Sequence, residues 1–582
     1  MSLASLSLML VFALAASTPA DAAKHKAAAP TGEVRLSGAK AGDGKDDTAA
    51  LLQALDKCKQ TGAKRLVFPK GRYDFFAGSN PGNAGTLFIL DGIRGLTIDG
   101  GGSELTFHGM TGAFYIANSQ GVRFVNMTLD WDAGAQSVGT VVATAEKSFD
   151  VRVLDEFPVK GGEPVEAFMD FDPKTRLPMK GGVDSYYNTE STELIAPQTL
   201  RVKVRNPVEM KVGVLAVLRH KVYGPSAFVF DRSRDCGISD VTIYGVPGMG
   251  CIGNVCMNMT LERFRVRLKP RTSRLVSASA DATHFGGCKG TISIRDCLFE
   301  GMGDDAVNIK SGLYLSVREK VDDRTVLCQH NLKMANLPDP GDRMEMSHVE
   351  DLIPYASGEV ESAEMAEGEN VHRVRFKSAL PADLKVGDVL GNASRVPSVR
   401  ISKVSVRNNR ARGFLIQTRD AIIENCKFEN CTGGGVWVMT EVVHFFESIG
   451  TRDVVVRNNT FKNCNYGAAR GEGVLSAFAY LKDFAMPPRP GVHRNIVFEN
   501  NTIDGSANCG IFAAGVEGLR IAGNTIRNAC QSPTKPEGSA AMCIMNSSGV
   551  AAVNNRIDAS KQGPGFREAV RNIGGGKSVT NQ

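Results

Sequence analysis

The chain has 582 residues, of which 42% are hydrophobic, 7% aromatic and 22% charged, a composition that excludes an intrinsically disordered protein. Lysine and arginine number 68 against 62 acidic residues, and the basic residues are scattered, so the electrostatic pattern of a nucleic-acid-binding protein is missing. We therefore expect no nucleic-acid partner. Glycine is abundant, at 62 residues, and predicts many tight turns.

The N-terminus has the pattern of an export signal. An apolar stretch from Leu8 to Ala16 precedes Ala20-Asp21-Ala22, which has the small-x-small pattern that signal peptidase cleaves. We predict a signal peptide over residues 1–22 and a protein that is periplasmic or secreted. The stretch is too short to span a bilayer, and no later one reaches about 18 apolar residues, so we predict no membrane span.

A helix is predicted next, with Asp47 as its N-cap and Gly62 at its end. Its apolar face comprises Ala50, Leu51, Ala54, Leu55 and Cys58. A strand from Arg65 to Phe68 follows. An amphipathic helix in this position would cover the first coil of a solenoid.

A short unit of one strand and one turn then recurs along the chain. Examples are ISIRDCLFEG, AIIENCKFEN, VVVRNNTFKN and IVFENNTIDG. Such a repeat predicts an all-β protein, a right-handed parallel β-helix, in which each coil buries one face against its neighbours. We expect one turn position to form a ladder of stacked polar side chains at Asn409, Cys426, Asn459, Asn501, Asn524 and Asn555. The cysteines in the repeat are expected to fill space between coils, and one disulfide stays open as an alternative.

Two stretches, 136–222 and 316–398, have alternating strands without the ladder pattern, and each is predicted to be an inserted antiparallel β-barrel. The expected organisation is a cap with the first coils (33–135), central catalytic coils (223–315) and C-terminal coils (399–582), separated by these barrels. A homodimer that uses a barrel face is left open.

Three aspartates form the candidate catalytic cluster. The segments DATHFGGCKG and GMGDDAVNIKSG align without gaps at an offset of 24 residues, which places Asp281 beside Asp305, with Asp304 in the same turn. Like charges so close raise at least one pKa, as a general acid at neutral pH requires. A simple aspartate turn or a calcium site is the alternative, but we predict no metal ligands here.

Strand alternation assigns the faces of these coils. Val307, Ile309, Phe414, Ile416, Val436 and Val438 are expected to point inward. The side chains expected to face outward, as substrate ligands, are His284, Asn308, Lys310, Gln417 and Trp437.

Ala282, Ala306, Gly413 and Gly435 are expected to leave room for a ligand against the sheet. Trp437 is expected to stack on a sugar ring, with burial under a covering loop as the alternative. Arg412 aligns with Asp305 and could steady the carboxylates or grip a substrate hydroxyl, and Arg419 follows as a further candidate ligand.

These residues support a family resemblance. The strings DATHFGGCKGTISIRDCLFEGMGDDAVNIKSGLYL, RGFLIQTRDAIIENCKFEN and FFESIGTRDVVVRNNTFKNC resemble glycoside hydrolase family 110, the exo-acting α-1,3-galactosidases that include blood-group-B-cleaving enzymes. One Asp followed a coil later by Asp-Asp is more distantly similar to the polygalacturonases. Their Gly-His-Gly and Arg-Ile-Lys motifs are not evident here, which disfavours a galacturonan substrate.

The resemblance implies a hydrolase that inverts configuration, needs no cofactor and acts on glycans with terminal α-galactose. It implies a catalytic set of Asp281, Asp304 and Asp305, and by analogy with polygalacturonases Asp304 is the acid while the other two position and deprotonate water. Glu447 is implied as a ligand of a sugar hydroxyl. The alternatives are a polysaccharide lyase or epimerase, a polygalacturonase-like hydrolase of uronate glycans, and a non-catalytic glycan-binding solenoid.

Overall fold

The computed structural model describes residues 32–80, 85–132, 135–330, 337–467, 471–483 and 488–574. The predicted signal peptide at 1–22 lies outside the described residues. Among the described residues, no helix is long and apolar enough to cross a membrane.

The predicted capping helix is present at Thr48–Thr61, and the expected apolar face is buried. It ends at Gly62, whose φ of 68° is the left-handed conformation that glycine adopts without strain. The N-terminal contact differs from the expected one. The Asp47 side chain accepts from the backbone N–H of Lys40 and Asp74, at 3.3 and 3.1 Å, whereas Asp46 accepts from Thr48 N–H at 3.0 Å.

Most strands are short and pair in parallel with the next coil, as a β-helix requires. The larger sheet has 22 strands. They are Glu33–Arg35, Arg65–Val67, Arg72–Phe76, Thr97–His108, Arg123–Trp131, Arg234–Tyr244, Met257–Glu262, Arg265–Val266, Lys289–Arg295, Leu298–Glu300, Ser398–Ser402, Ser405–Arg407, Arg419–Glu424, Lys427–Glu429, Arg452–Arg457, Thr460–Lys462, His493–Glu499, Thr502–Asp504, Val516–Ala522, Thr525–Arg527, Ala551–Val553 and Arg556–Ile557.

A second parallel sheet of 12 strands carries the candidate site. Its strands are Thr86–Asp91, Gly112–Ala117, Phe228–Asp231, Cys251–Asn254, Thr283–Gly286, Val307–Lys310, Phe414–Gln417, Val436–Glu441, Leu475–Tyr480, Ile511–Ala514, Ala540–Met545 and Glu568–Ile573. Two 3₁₀ helices, Pro536–Ser539 and Ala559–Lys561, lie near its end.

The core runs along the coil axis between the sheets. All six side chains predicted to point inward from the central strands are fully buried in it. The expected role of the small residues was wrong, however. A Cβ on Gly413 or Gly435 would lie 2.5 or 2.2 Å from the ring of Phe428 or Phe461, so these glycines make room for core aromatic rings rather than for a ligand. The two rings stack at 4.6 Å.

The predicted side-chain ladder is present from Cys426 to Asn555. Each asparagine Oδ1 accepts from the backbone N–H one coil below; for example, Asn459 accepts from Cys426 N–H at 2.8 Å. The expectation for Asn409 was wrong. Ser405 pairs with Lys427, so Val404 occupies the ladder position, while the Asn409 amide donates to Arg412 O at 2.7 Å.

Two insertions interrupt the coils. The first forms a seven-stranded antiparallel sheet rather than the expected closed barrel. Its strands are Gln136–Ala145, Ser148–Val153, Ala167–Phe171, Asp184–Tyr186, Thr189–Ala196, Thr199–Val204 and Leu215–Arg219. The second is a closed barrel, as expected. Its strands are Leu315–Lys320, Thr325–His330, Arg343–Ser347, Pro354–Met365, Val371–Phe376 and Val389–Asn392. We call these the first inserted sheet and the second inserted barrel.

All thirteen cysteines lie among the described residues, and each is a buried free thiol. The disulfide left open by the sequence therefore does not form between them here. Cys256, Cys288, Cys297, Cys426 and Cys464 sit in the core of the coils, which agrees with their expected role as small apolar side chains.

Candidate active site

The register of the central coils brings the predicted aspartates together. Thr283 pairs with Val307, at the 24-residue offset derived from the sequence, so Asp281 and Asp305 lie in equivalent positions of adjacent coils. The register of the following coil places Arg412 beside Asp305, again as expected. The cluster is therefore a direct product of coil stacking.

The three carboxylates of Asp281, Asp304 and Asp305 converge, each with an oxygen within 4.8 Å of the others. They differ in environment. Asp281 and Asp305 are buried, whereas the Asp304 side chain is 19% exposed. Among the described residues, the Asp304 carboxyl has one ion pair, to Arg410 at 3.6 Å, and we find no hydrogen bond to it.

Asp305 is held by Arg412. Its two oxygens accept from the Arg412 backbone N–H at 3.0 Å and from Nη2 at 2.6 Å. Burial raises the pKa of Asp305 to about 8, against the opposing effect of Arg412, and the neighbouring aspartates add to the rise. Two fixed donors suit an ionised carboxylate, so the contacts and the raised pKa pull in opposite directions. Donors on both oxygens stabilise the ionised form of Asp305, so this carboxyl suits a base better than a general acid.

Asp281 is fixed from two sides. It accepts from Asp305 N–H at 3.1 Å, and its other oxygen lies 2.8 Å from His284 Nδ1. Burial raises the pKa of Asp281, and the nearby Asp304 raises it further. Burial also lowers the pKa of His284 to about 3, with Lys310 adding to this effect, so the imidazole is neutral. A neutral imidazole that donates from Nδ1 keeps Nε2 as an acceptor.

Lys310 and Glu447 form a buried ion pair at 2.6 Å. Burial alone would raise the pKa of Glu447, but Lys310 outweighs it and the pKa is lowered. A two-stranded ribbon, Gly312–Leu313 with Glu447–Ser448, holds the glutamate in place. The preceding loop is organised by Glu441, whose carboxylate accepts from four backbone N–H groups, at 443, 444, 445 and 447.

Several polar atoms near this cluster are buried without a hydrogen-bond partner among the described residues. They are Asn308 Oδ1, both amide atoms of Gln417 and Arg412 Nε. Buried polar atoms in proteins are normally satisfied by protein, water or ligand. Three side chains predicted from alternation and alignment therefore offer hydrogen-bonding capacity to a polar ligand.

Trp437 does not present the open indole that stacking on a sugar requires. The side chain is on the outer side of the sheet, but it is only 9% exposed. Its Nε1 donates to Gly473 O at 3.0 Å, and Phe478, from the next coil, packs against the ring at 5.3 Å. The Arg412 guanidinium lies 5.8 Å above the indole. Trp437 therefore supports the arginine that holds Asp305.

Arg419 has a structural partner elsewhere. Its guanidinium pairs with Glu345 of the second inserted barrel, at 2.6 and 3.0 Å, and donates to Gly450 O. The predicted role of Arg419 as a substrate ligand is not supported, because Nε, Nη1 and Nη2 of its guanidinium all donate to atoms of the protein.

Four groups near Asp304 were not predicted from the sequence. Arg410 contacts both Asp304 and Asp184, and the Tyr186 ring lies close to the guanidinium groups of both Arg410 and the fully buried Arg219. Arg410 could have been found, because it lies two residues before Arg412 in the same aligned loop. Asp184, Tyr186 and Arg219 belong to the first inserted sheet, which has no repeat to supply a register.

Tyr223 also approaches the cluster, just after the first inserted sheet. Burial raises the pKa of its hydroxyl, and Asp304 and Asp281 raise it further. A phenol in this position stays protonated and is available as a donor.

Two family models match parts of this chain. A family model described as right handed beta helix region matches residues 389–481, and one described as GLAA-B beta-barrel domain II matches residues 334–390. The predicted right-handed parallel β-helix is thus confirmed. The second match falls within the second inserted barrel.

Curated relatives carry one recurring name. "Alpha-1,3-galactosidase A" of Shewanella woodyi is 29% identical over 66% of this chain and 68% of its own length. "Alpha-1,3-galactosidase A" of Bacteroides fragilis is 27% identical over 82% and 84%, and "Alpha-1,3-galactosidase B" of Bacteroides thetaiotaomicron is 28% identical over 68% and 70%. The predicted resemblance is confirmed.

Solved structures similar to this chain include the Agl-KA catalytic domain, with a TM-score of 0.47 and 13% identity, covering 95% of this chain and 70% of that one. An exopolygalacturonase from Thermotoga maritima has a TM-score of 0.42 and 13% identity, with 95% and 94% covered.

Proposed function

We propose that this chain is an exo-acting α-galactosidase that hydrolyses terminal α-1,3-linked galactose, with inversion at the anomeric carbon. The observation that carries the proposal is the convergence of Asp281, Asp304 and Asp305 within 4.8 Å, beside buried polar side chains without protein partners. The names of the curated relatives support the substrate.

The charge balance explains how one carboxyl stays protonated. Lys310 with Glu447, and Arg410 with Asp184, are internally neutral pairs. Three aspartates then face the guanidinium of Arg412, and buried like charges this close cannot all ionise. The cluster therefore retains a proton, as general acid catalysis requires.

Asp304 is the best-placed acid. Asp281 and Asp305 use both oxygens in contacts within the protein, whereas Asp304 is more exposed and accepts no hydrogen bond among the described residues. In the proposed reaction the bond between C1 and the glycosidic oxygen breaks, and the Asp304 proton passes to the leaving oxygen. Water attacks C1, and its proton passes to Asp281 or Asp305.

The sugar would be recognised by its hydroxyl groups. Neutral His284 has a free acceptor at Nε2 when Nδ1 donates to Asp281, while Asn308 and Gln417 offer unpaired amide atoms. The Lys310–Glu447 pair would add a donor and an acceptor in fixed positions. No step in this scheme requires a cofactor.

The spacing of the carboxyl groups bears on the stereochemical course. Inverting glycosidases usually separate their carboxyl groups by about 6.5–9.5 Å, and retaining ones by about 5–5.5 Å. One oxygen of each carboxylate here lies within 4.8 Å of the others, a distance that joins single oxygens rather than whole carboxyl groups. Retention would need a nucleophilic Asp281 or Asp305, yet Arg412 occupies both oxygens of Asp305. The anomer formed first decides between the two.

The lyase and epimerase alternatives fit the charges less well. Such enzymes need cationic side chains to neutralise a uronate carboxylate and a base to remove the neighbouring proton. Arg412 is engaged by Asp305, and Lys310 by Glu447. A uronate would have to displace these carboxylates at considerable cost.

Proton NMR with α-1,3-galactobiose tests the proposal. We expect β-galactose as the first product and a loss of about 10²–10⁴ in kcat for Asp304→Asn, since general acid catalysis contributes that much. First-formed α-galactose would overturn inversion. Absence of galactose would overturn the substrate, and an unsaturated uronate product from other glycans would favour the lyase. A wild-type chain that binds glycan without turning it over, and that keeps this binding after Asp304→Asn, would support a binding solenoid.

We also propose export, on the sequence of residues 1–22. N-terminal sequencing of protein recovered from the periplasm or medium tests this. A mature chain that begins near Ala23 is expected, and a chain that retains residues 1–22 in the cytoplasm would contradict it.

A further inference from the structure

The Arg410 guanidinium connects the first inserted sheet to the catalytic cluster. Arg410 Nε donates to Asp184 Oδ2 at 2.5 Å, and Arg410 Nη1 lies 3.6 Å from Asp304 Oδ1. Asp184 begins a strand of the first inserted sheet, whereas Asp304 lies in the turn before a coil strand. Two separate parts of the chain therefore share one arginine.

The arginine is also supported from one side. The Tyr186 ring lies 5.0 Å from the Arg410 guanidinium carbon and 5.3 Å from that of Arg219. The Tyr186 hydroxyl accepts from Arg219 Nη1 at 2.9 Å, and Arg219 Nη2 donates to Ser279 O in the coil. Arg219 is fully buried and bonded to the coil, so it holds the Tyr186 ring next to Arg410.

We propose that Asp184 and Arg410 are positioning residues that orient the Asp304 carboxyl toward the glycosidic oxygen, so that the first inserted sheet takes part in proton donation. The inference rests on the proposed function, because it assumes that Asp304 is the general acid.

The physical reason is the sparse contact around Asp304. Asp281 and Asp305 are each held by two contacts, whereas Arg410 is the one ion-pair partner of the Asp304 carboxyl in the part of the chain that the structure describes. The rotamer of Asp304 therefore depends on where the Arg410 guanidinium lies. Asp184 fixes the partner, because its 2.5 Å contact is shorter than the 3.6 Å contact with Asp304 and sets where the guanidinium sits.

Other charged or titratable groups also face Asp304. They are Asp281, Asp305, His284, Arg412, Tyr186 and Tyr223. Where the structure gives hydrogen-bond partners for these groups, the partners are atoms other than the Asp304 carboxyl oxygens. Over the described ranges of the chain, Arg410 alone lies within ion-pair distance of Asp304.

The test separates proton donation from general damage by changing the leaving group. The disaccharide α-1,3-galactobiose needs a proton on its leaving oxygen, whereas α-galactosyl fluoride releases fluoride without one. For Asp184→Asn we expect kcat on the disaccharide to fall about tenfold to a hundredfold, as small misplacements of catalytic groups do. We expect kcat on the fluoride to stay within about twofold, and KM to change little on both.

Two further variants complete the series. Arg410→Met should reproduce the pattern with a larger loss, and Asp184→Glu should restore part of the disaccharide activity. Glu424→Gln is the matched control. It removes a carboxylate from Arg457 at 2.8 Å, with 30% side-chain exposure against 34% for Asp184, and both substrates should be unaffected.

The outcomes separate this inference from the proposed function. If Asp184→Asn and Arg410→Met lose equally on both substrates, or lose on neither, the inference is overturned. Activity of the wild-type enzyme would still leave the proposed function intact. A wild-type chain that hydrolyses neither substrate would overturn the proposed function itself. If Asp184→Asn fails to fold, as judged by circular dichroism, the comparison of Arg410→Met with Glu424→Gln carries the test.

Discussion

The two insertions look alike in sequence but meet the coils in different ways. The first inserted sheet sends Asp184 and Tyr186 to an arginine that contacts Asp304. The second inserted barrel uses Glu345 to bind Arg419 and Arg452, at coil positions that do not contact the aspartates. An insertion can therefore extend the chemistry of a solenoid or brace its coils, and the residues at the junction decide which.

The largest effect we expect in this comparison concerns the Lys310–Glu447 pair, just before the chain enters the second inserted barrel. Lys310→Met leaves Glu447 buried without its cation, and breaking such a pair costs about 3–5 kcal/mol of unfolding free energy. Denaturant unfolding at neutral pH measures this. Lys462→Met is the control, because its pair with Glu429 is exposed and should contribute little.

This effect has a defined pH dependence. Lys310 lowers the pKa of Glu447 below its ordinary value of 4.5. The stability from the pair is therefore present above about 4.5 and is lost as the pH falls through the lowered pKa. The difference between wild type and variant should shrink in acid. A difference that stays constant over the whole acid range in which the wild-type protein remains folded would show that the charge of Glu447 is irrelevant.

The next effect sharpens the role of the first inserted sheet. Tyr186→Ala removes the ring that lies close to both Arg219 and Arg410, and we expect kcat on α-1,3-galactobiose to fall about tenfold, equivalent to about 1.4 kcal/mol. Tyr186→Phe keeps the ring and should lose much less. Tyr355→Ala, which removes a ring stacked on His348 in the second inserted barrel, is the control. Equal losses for both alanine variants would contradict the distinction.

The smallest effect on activity concerns Glu345, which joins the second inserted barrel to the coils. Glu345→Gln should lower the free energy of unfolding by about 1–3 kcal/mol, because two arginines lose a charged partner. The ratio of kcat on the disaccharide to kcat on α-galactosyl fluoride should stay unchanged. If Glu345→Gln lowered this ratio as Asp184→Asn is expected to, the two insertions would not differ in function.

The register of the site was predictable because equal spacing identifies equivalent positions in neighbouring coils. Asp281, Asp305 and Arg412 follow from ungapped alignment and strand alternation. Asn409 was misplaced because the 17-residue interval to Cys426 is shorter than the coil at this point. Ser405 pairs with Lys427, so Val404 holds the ladder position that aligns with Cys426. Alternation likewise says nothing about Arg419, which begins a different strand of the coil.

Burial and long-range contacts were harder to predict. Alternation places Trp437 on the outer side of its strand, but exposure depends on Phe478 of the next coil. Asp184 and Tyr186 lie more than 200 residues from Arg410, in a sheet without a repeat, so sequence spacing gives no sign that they meet. Asp184 and Tyr186 reach Arg410 because the first inserted sheet packs against the coils at this point.

The thirteen buried free thiols give this protein a built-in set of reporters. Burial raises the pKa of thiols such as Cys58 and Cys297, and an unexposed, protonated thiol reacts slowly with alkylating reagents. They extend from the capping helix through the second inserted barrel to the last coils, but the first inserted sheet has none. Timed alkylation followed by peptide mass spectrometry would therefore map the order in which the coils open, and no cysteine would have to be introduced by mutation.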